Sequence, residues 1–151
     1  MVEKDNQWIE LWDQKARQNH MAAMGRSSYD LSDFLKYSSD VIKNLRPFKI
    51  NYNFLDCGGG SGIFSWIIYP FVKKIYLIDF SSNLIRLAKN RFKNQKKIKV
   101  FKKDIRSIQF NNIKFDRILF GSVLQYLNSY EEIKNLFKNL NKISKKDVKI
   151  L

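Results

Sequence analysis

Four of the six glycines in this 151-residue chain fall between Gly58 and Gly62, directly behind Asp56 and Cys57. A turn that dense in glycine lets the chain leave a strand for a helix abruptly while a ligand approaches its backbone, two demands that a Cβ obstructs. A merely tight turn is the competing reading, but a turn alone seldom needs four glycines. The spacing narrows the ligand. A dinucleotide turn reads Gly-x-Gly-x-x-Gly, whereas counting from Gly58 gives Gly60 and then Ile63 in the third place. A Walker-type phosphate cradle needs Gly-Lys-Ser/Thr after the loop, and none follows. Nicotinamide and nucleoside-triphosphate chemistry are therefore disfavoured. Cys57 is the only cysteine and His20 the only histidine, so there is no intrachain disulfide and no Cys cluster for a metal.

The surrounding pattern supplies the strand and the helix that such a turn requires. Tyr52 to Asp56 reads as a short strand, and Gly62 to Tyr69 as an apolar helix stopped near Pro70. Ile75 to Asp79 is the next strand, and Ser81 or Ser82 caps a helix whose apolar side is Leu84, Leu87, Ala88 and Phe92. Ile98 to Phe101 and Phe115 to Phe120 make two more strands. Ser129 and Glu132 form a capping-box pair ahead of Ile133, Leu136, Phe137 and Leu140, and a fifth strand begins at Val148. Before all of this, Trp8, Ile9, Leu11, Trp12 and Ala16 mark an amphipathic helix. A second helix, capped by Asp30, carries Leu31, Phe34, Leu35, Val41, Ile42 and Leu45 up to Pro47. Alternating strands and helices predict an α/β fold: a Rossmann-like, doubly wound parallel sheet with right-handed crossovers. The expected division is an N-terminal helical cap over 1–46 and a Rossmann-like core over 47–151. A fifth strand starting at Val148 has no residues with which to continue, so the chain reads as truncated at its carboxyl end.

The segment Asp56-Cys57-Gly58-Gly59-Gly60-Ser61-Gly62 fits Asp-x-Gly-x-Gly-x-Gly, and here the sequence resembles the class I S-adenosylmethionine-dependent methyltransferase family. Three further segments match in order: Tyr76 to Ala88, Lys103-Asp104-Ile105, and Phe115 to Leu127. The resemblance covers most of Asn53 to Leu127 and implies that S-adenosylmethionine is the cofactor. It places Asp56, Gly58, Gly59, Gly60, Gly62, Asp79, Phe80, Asp104, Ile105 and Gly121 at the cofactor. Asp79, at the tip of the second strand, would accept hydrogen bonds from both ribose hydroxyls. Asp104 would accept from the adenine amino group, Ile105 would offer its backbone N–H, and Phe80 an apolar face. Asp56 would steady the glycine loop and the amino end of the methionine moiety. The resemblance also implies that the family's C-terminal strands are lacking here, leaving an open sheet edge for a partner chain or a missing segment. Blander readings stand beside these: Asp79 as a solvated acid at a helix start, Asp104 as the ion-pair partner of Lys102 and Lys103, and Asp56 as the N-cap of the next helix.

A sulfonium methyl donor is already activated, so few catalytic residues are needed beyond those that align an acceptor and take up a proton. The acceptor side lies beyond the fourth strand, where Ser122, Gln125 and Tyr126 are the candidates. Each could equally bond backbone or pack. In some small-molecule members of the family a histidine stands near Gln125, and its absence leaves no obvious general base. The Asn/Asp-Pro-Pro-aromatic motif of amino-group methyltransferases is replaced by Phe120-Gly121-Ser122-Val123. Arg26 and Tyr29 are the lid candidates, with Trp8 and Trp12 as packing anchors.

The chain's 44% hydrophobic and 15% aromatic content argues for a globular domain. No apolar run approaches the roughly 20 residues of a membrane span, and the polar start is unlike a signal peptide, so the expected location is cytoplasmic. The formal charge of +14 invites a polyanion, yet its lysine pairs at 73–74, 96–97, 102–103 and 145–146 are scattered along the sequence. A binding face requires them to converge in space, so the charge reads as a solvated lysine-rich surface and nucleic acid as an unlikely partner. The expected activity is methyl transfer to a small metabolite, lipid precursor or sugar-like acceptor. The alternative is a shortened module that binds the cofactor or a partner without turnover.

Overall fold

A computed structural model describes residues 2–18 and 30–151. Five parallel strands, β1 (Asn53–Cys57), β2 (Lys74–Asp79), β3 (Ile98–Lys102), β4 (Phe115–Phe120) and β5 (Ser144–Ile150), form one sheet in the order β3-β2-β1-β4-β5. Five helices accompany them: α1 (Val2–Gln18), α2 (Leu31–Leu45), α3 (Ile63–Ile68), α4 (Ser82–Arg91) and α5 (Tyr130–Ile143). The sheet reverses its order of growth between β1 and β4, and in an open α/β sheet the crevice at such a reversal is where ligands bind.

Side-chain alternation divides the sheet into two buried faces. Phe54, Ile75, Leu77 and Leu119 point to one face, where they pack with Val41 and Leu45 of α2, Ile68 of α3, and Ile85 and Ala88 of α4. Their neighbours Leu55, Tyr76, Ile78 and Ile118 point to the other, against Leu136, Leu140 and Ile143 of α5. Helices on both faces account for the nearly continuous apolar runs of β2 and β4, because every side chain in a doubly covered strand is buried. The sheet is thus doubly wound, in the expected Rossmann-like arrangement.

The predicted caps form. Asp30 accepts from Asp33 N–H (2.8 Å), and Ser81, not Ser82, accepts from Leu84 N–H (3.2 Å) at the start of α4. Ser129 accepts from Glu132 N–H (3.2 Å), while the Glu132 carboxylate reaches Asn128 N–H (2.7 Å) rather than that of Ser129. The fifth strand differs from expectation. It starts at Ser144, directly off α5, and its pairing with β4 is irregular between Phe115↔Ser144 and Arg117↔Lys149. Lys145, Lys146 and Asp147 are exposed on this edge strand, so their polarity conceals a strand that apolar patterning finds only from Val148.

One polar side chain ties α2 to the sheet. Arg117, 3% exposed in β4, donates to Leu45 O (2.7 Å), Pro47 O (2.7 Å) and Asp116 O (2.6 Å), and lies over the Tyr52 ring. Replacing it by leucine leaves several buried carbonyls without a donor, at a cost of roughly 1–3 kcal/mol each in the worst case. Arg117→Leu is expected to lower the urea unfolding free energy by about 3 kcal/mol, which denaturant titration followed by circular dichroism measures directly.

Candidate functional site

The carboxyl ends of β1, β2 and β4 converge on a cavity of about 320 Å³. Asp56, Gly58, Gly59, Gly60, Asp79, Phe80, Gly121, Ser122, Gln125 and Tyr126 all line it. A smaller adjoining cavity of about 70 Å³ is walled by Asp104 and Ile105, and it shares Gly58, Asp79, Phe80, Val123 and Tyr126 with the first. Nine of the ten residues that sequence reading assigned to the cofactor therefore gather on two connected spaces, with Asp79 at their junction. Gly62 does not. It is the N-cap of α3 at φ +86°, and a Cβ there would come within 2.4 Å of the Phe92 ring, so its smallness serves helix packing.

The glycine turn is pressed from two sides. A Cβ on Gly58 (φ +65°) would meet Val123 at 2.2 Å, and one on Gly59 would meet Leu77 and the Asp56 carboxyl below 3 Å. The loop after β4 and the side chain of Asp56 thus leave room only for hydrogen at these positions.

Two carboxyls sit behind the turn. Asp79, 4% exposed, accepts from Gly60 N–H through Oδ2 (3.0 Å) and from Ser81 N–H through Oδ1 (2.9 Å). Burial pushes it up to about 6 from the ordinary 3.8, against the lowering effect of those N–H donors, so it is not a solvated helix-start acid. Asp56, 2% exposed, accepts from Ser65 Oγ of α3 (2.6 Å). Burial raises it also to about 6, opposed by Ser65 and assisted by the nearby Asp79 charge. It does not cap α3, whose N-cap is Gly62 without a side-chain bond. Asp104 is engaged by Arg106, whose Nε lies 2.9 Å from Oδ2 and whose backbone N–H donates to Oδ1 (2.8 Å). Lys102 and Lys103 turn elsewhere, to Ser82 Oγ and Gln109 O.

Several wall residues were not among the cofactor or acceptor candidates. Ser61 is 1% exposed, lines the main cavity, and its hydroxyl has no partner among the described residues. Its place inside the glycine motif was the available signal. Trp12 and Lys15 of α1 also line the main cavity, Trp8 and Ile9 the smaller one, and Phe34 and Phe64 complete the apolar wall. Trp8 packs edge-on against Tyr126 at 4.6 Å between centroids, and Trp12 at 6.2 Å, so both tryptophans are anchors and cavity walls at once. Their spacing with Lys15, i, i+4, i+7, marks one helical face. Ser122 is exposed and holds φ +62°, a left-handed conformation that is uncommon for a non-glycine residue. Arg26 and Tyr29 lie outside the described residues, as does His20.

The methyltransferase-domain family model matches residues 55–151, and the chain belongs to that family. The solved structures agree at the level of fold. Phosphoethanolamine N-methyltransferase 1 of Haemonchus contortus, in complex with phosphoethanolamine and S-adenosylhomocysteine, superposes with TM-score 0.80 at 18% identity over 97% of this chain. N-methyltransferase NodS of Bradyrhizobium japonicum, bound to S-adenosylhomocysteine, gives 0.75 at 20% identity over 90%. An S-adenosylmethionine-dependent methyltransferase of Clostridium acetobutylicum gives 0.64 at 23% over 96%. This chain spans 31%, 67% and 55% of those three proteins respectively. No match was found among curated proteins.

The raised carboxyls carry a cost whose sign follows from proton linkage. Between about pH 4 and 6 the folded chain holds more protons on Asp56 and Asp79 than the unfolded chain does, so their contribution favours folding at low pH and is lost as pH rises through 6. Asp56→Asn retains an acceptor for Ser65 Oγ without the charge. Its stability relative to the parent chain is expected to climb by on the order of 2 kcal/mol from pH 4 to pH 6.5 and then level, as read by thermal unfolding across that range.

Proposed function

We propose that this domain transfers a methyl group from S-adenosylmethionine to a small-molecule acceptor of the lipid-precursor or sugar-like class. The observation that carries the reading is the junction at Asp79, where one desolvated carboxylate serves both a larger cavity and a small apolar one. A nucleoside carrying an amino-acid arm has that division, with its ribose at the centre. The cavity volume stands at the lower end of the range for small-ligand sites, which suits a single small ligand. The acceptor class draws support from the phosphoethanolamine held by the Haemonchus contortus enzyme.

When bound, S-adenosylmethionine supplies an electrophilic methyl on a sulfonium centre. The chain's own residues supply the rest. Asp79 keeps lone pairs beyond those taken by Gly60 and Ser81, and offers them to the two ribose hydroxyls. Phe80 and Ile105 wall the smaller cavity as surfaces for the adenine ring. Asp104 takes the exocyclic amino group by sharing a carboxylate that Arg106 already holds. Gly58, Gly59 and Gly60 bring backbone against the amino-acid arm, with Asp56 facing its ammonium and the Ser61 hydroxyl, which has no partner among the described residues, placed to bond it. Gly121, Ser122, Gln125 and Tyr126 form the wall from which the acceptor is aligned for in-line attack. No residue of that wall is a strong base, so an acceptor that arrives deprotonated, or loses its proton to water, suits the site.

Calorimetry with S-adenosylhomocysteine tests the cofactor reading. Because the ribose hydroxyls are bound by the ionised form of Asp79, affinity is expected to rise about tenfold from pH 5 to pH 7 as its carboxyl titrates near 6. Asp79→Ala is expected to abolish both the binding and that pH dependence, and unchanged affinity in the variant would sink the assignment. Gly121→Ala separates binding from folding. Nothing lies within 4 Å of its added methyl, so the unfolding midpoint should hold while ligand affinity drops severalfold. Transfer of labelled methyl to small molecules of a cell extract by the purified chain tests turnover, and tight cofactor binding without any transfer would favour the non-catalytic module.

A further inference from the structure

The lysine pairs that look scattered in the sequence converge in the fold. In an all-parallel sheet every strand is entered from the same end, and three of the four pairs lie where strands begin: Lys73-Lys74 at β2, Lys96-Lys97 at β3 and Lys145-Lys146 at β5. Lys49 precedes β1 and Lys114 precedes β4. The six residues leading into each of the five strands contain eight lysines in all and not one Asp or Glu, so nothing in those lead-ins offsets the charge. The hydrogen-bonded order β3-β2-β1-β4-β5 sets these entries side by side over roughly 19 Å, four strand spacings of about 4.8 Å. The acids of the cofactor cavity lie at the opposite end.

Two of the most exposed apolar side chains share the basic end. Ile50 is 67% exposed beside Lys49, and Phe71 is 51% exposed two positions before Lys73, its ring stacked on Phe48. Some of the lysines make internal contacts as well: Lys97 donates to Val72 O, Lys114 to Lys142 O, and Lys145 pairs with Asp116. Only the last of these neutralises a charge. Lys49, Lys73 and Lys96 remain exposed.

We propose that this amino-end face docks on an anionic lipid surface. Lysine-borne charge attracts acidic headgroups at about fivefold in partition per residue, and exposed apolar tips enter the boundary between headgroups and acyl chains. Nucleic acid fits less well. Phosphate and base recognition favours the planar arginine fork, which the lead-ins lack, and it gains nothing from an aliphatic tip such as Ile50. Docking in this orientation holds the cavity mouth away from the lipid by about 20 Å, the length of a six-residue strand. The cofactor cavity stays open to water.

Sedimentation with vesicles is the test, using phosphatidylcholine alone and phosphatidylcholine with about 30% phosphatidylserine at about 0.1 M salt. The chain should pellet with the acidic vesicles, remain free of the neutral ones, and detach as salt rises. Lys49→Gln/Lys73→Gln should lower the partition about 25-fold. Lys102→Gln/Lys134→Gln, equal in charge lost but away from this face, should lower it less than threefold. Ile50→Ser/Phe71→Ser should weaken what binding persists at high salt, with thermal midpoints confirming that each variant is folded. Equal losses in the two lysine pairs, equal binding to neutral vesicles, or no binding to acidic vesicles would overturn the proposal. So would retention of a single-stranded RNA, lost in Lys49→Gln/Lys73→Gln, by a chain that ignores the vesicles.

Discussion

The Asp79 carboxylate is the point on which the rest of the site depends. One oxygen accepts from Gly60 in the turn after β1, and the other from Ser81 at the start of α4. Ser81 in turn donates to Asp13 of α1 and caps α4. Asp79 therefore fixes the glycine turn to β2 and β2 to α4, while the Ser81 hydroxyl and Asp13 fix α4 to α1. The expense is desolvation, visible in a carboxyl pushed up to about 6. Natural chains tolerate such a residue where function needs a charge that folding does not favour.

The same region shows why valine and aspartate pack tightly around the glycine turn. Val123 sits where a Gly58 Cβ would be, and the Asp56 carboxyl sits where a Gly59 Cβ would be. The turn is thereby held from outside by groups on β1 itself and on the loop after β4. That rigid packing keeps backbone against the cavity without any side chain of its own in the way.

Much of this was legible because it is local. Asp79 follows a run of buried residues at the end of β2, and Phe115 to Phe120 is a strand whose every residue is buried, so period and boundary agree. The glycine spacing marks a stretch, Gly58 to Gly60, that lines the main cavity. What escaped is tertiary or polar. Lys15 enters the main cavity only because α1 crosses α4, with Ala16 against Leu84. Gly62 reads like its neighbours in the motif, yet it faces Phe92 thirty residues away. Arg106, two positions past Asp104, occupies the carboxylate for which Lys102 and Lys103 had been the candidate partners. The start of β5 hides in an exposed run of Lys145, Lys146 and Asp147, where patterning has no apolar face to detect.

Helix α1 contributes wall to both cavities, through Trp12 and Lys15 in one and Trp8 and Ile9 in the other. Among the described residues it is fastened by the Asp13 contacts to Ser81 and Asn83, one small apolar patch, and two edge-on rings at Tyr126. Because local opening draws on only the contacts that are broken, a lift of this one helix would widen both cavities together.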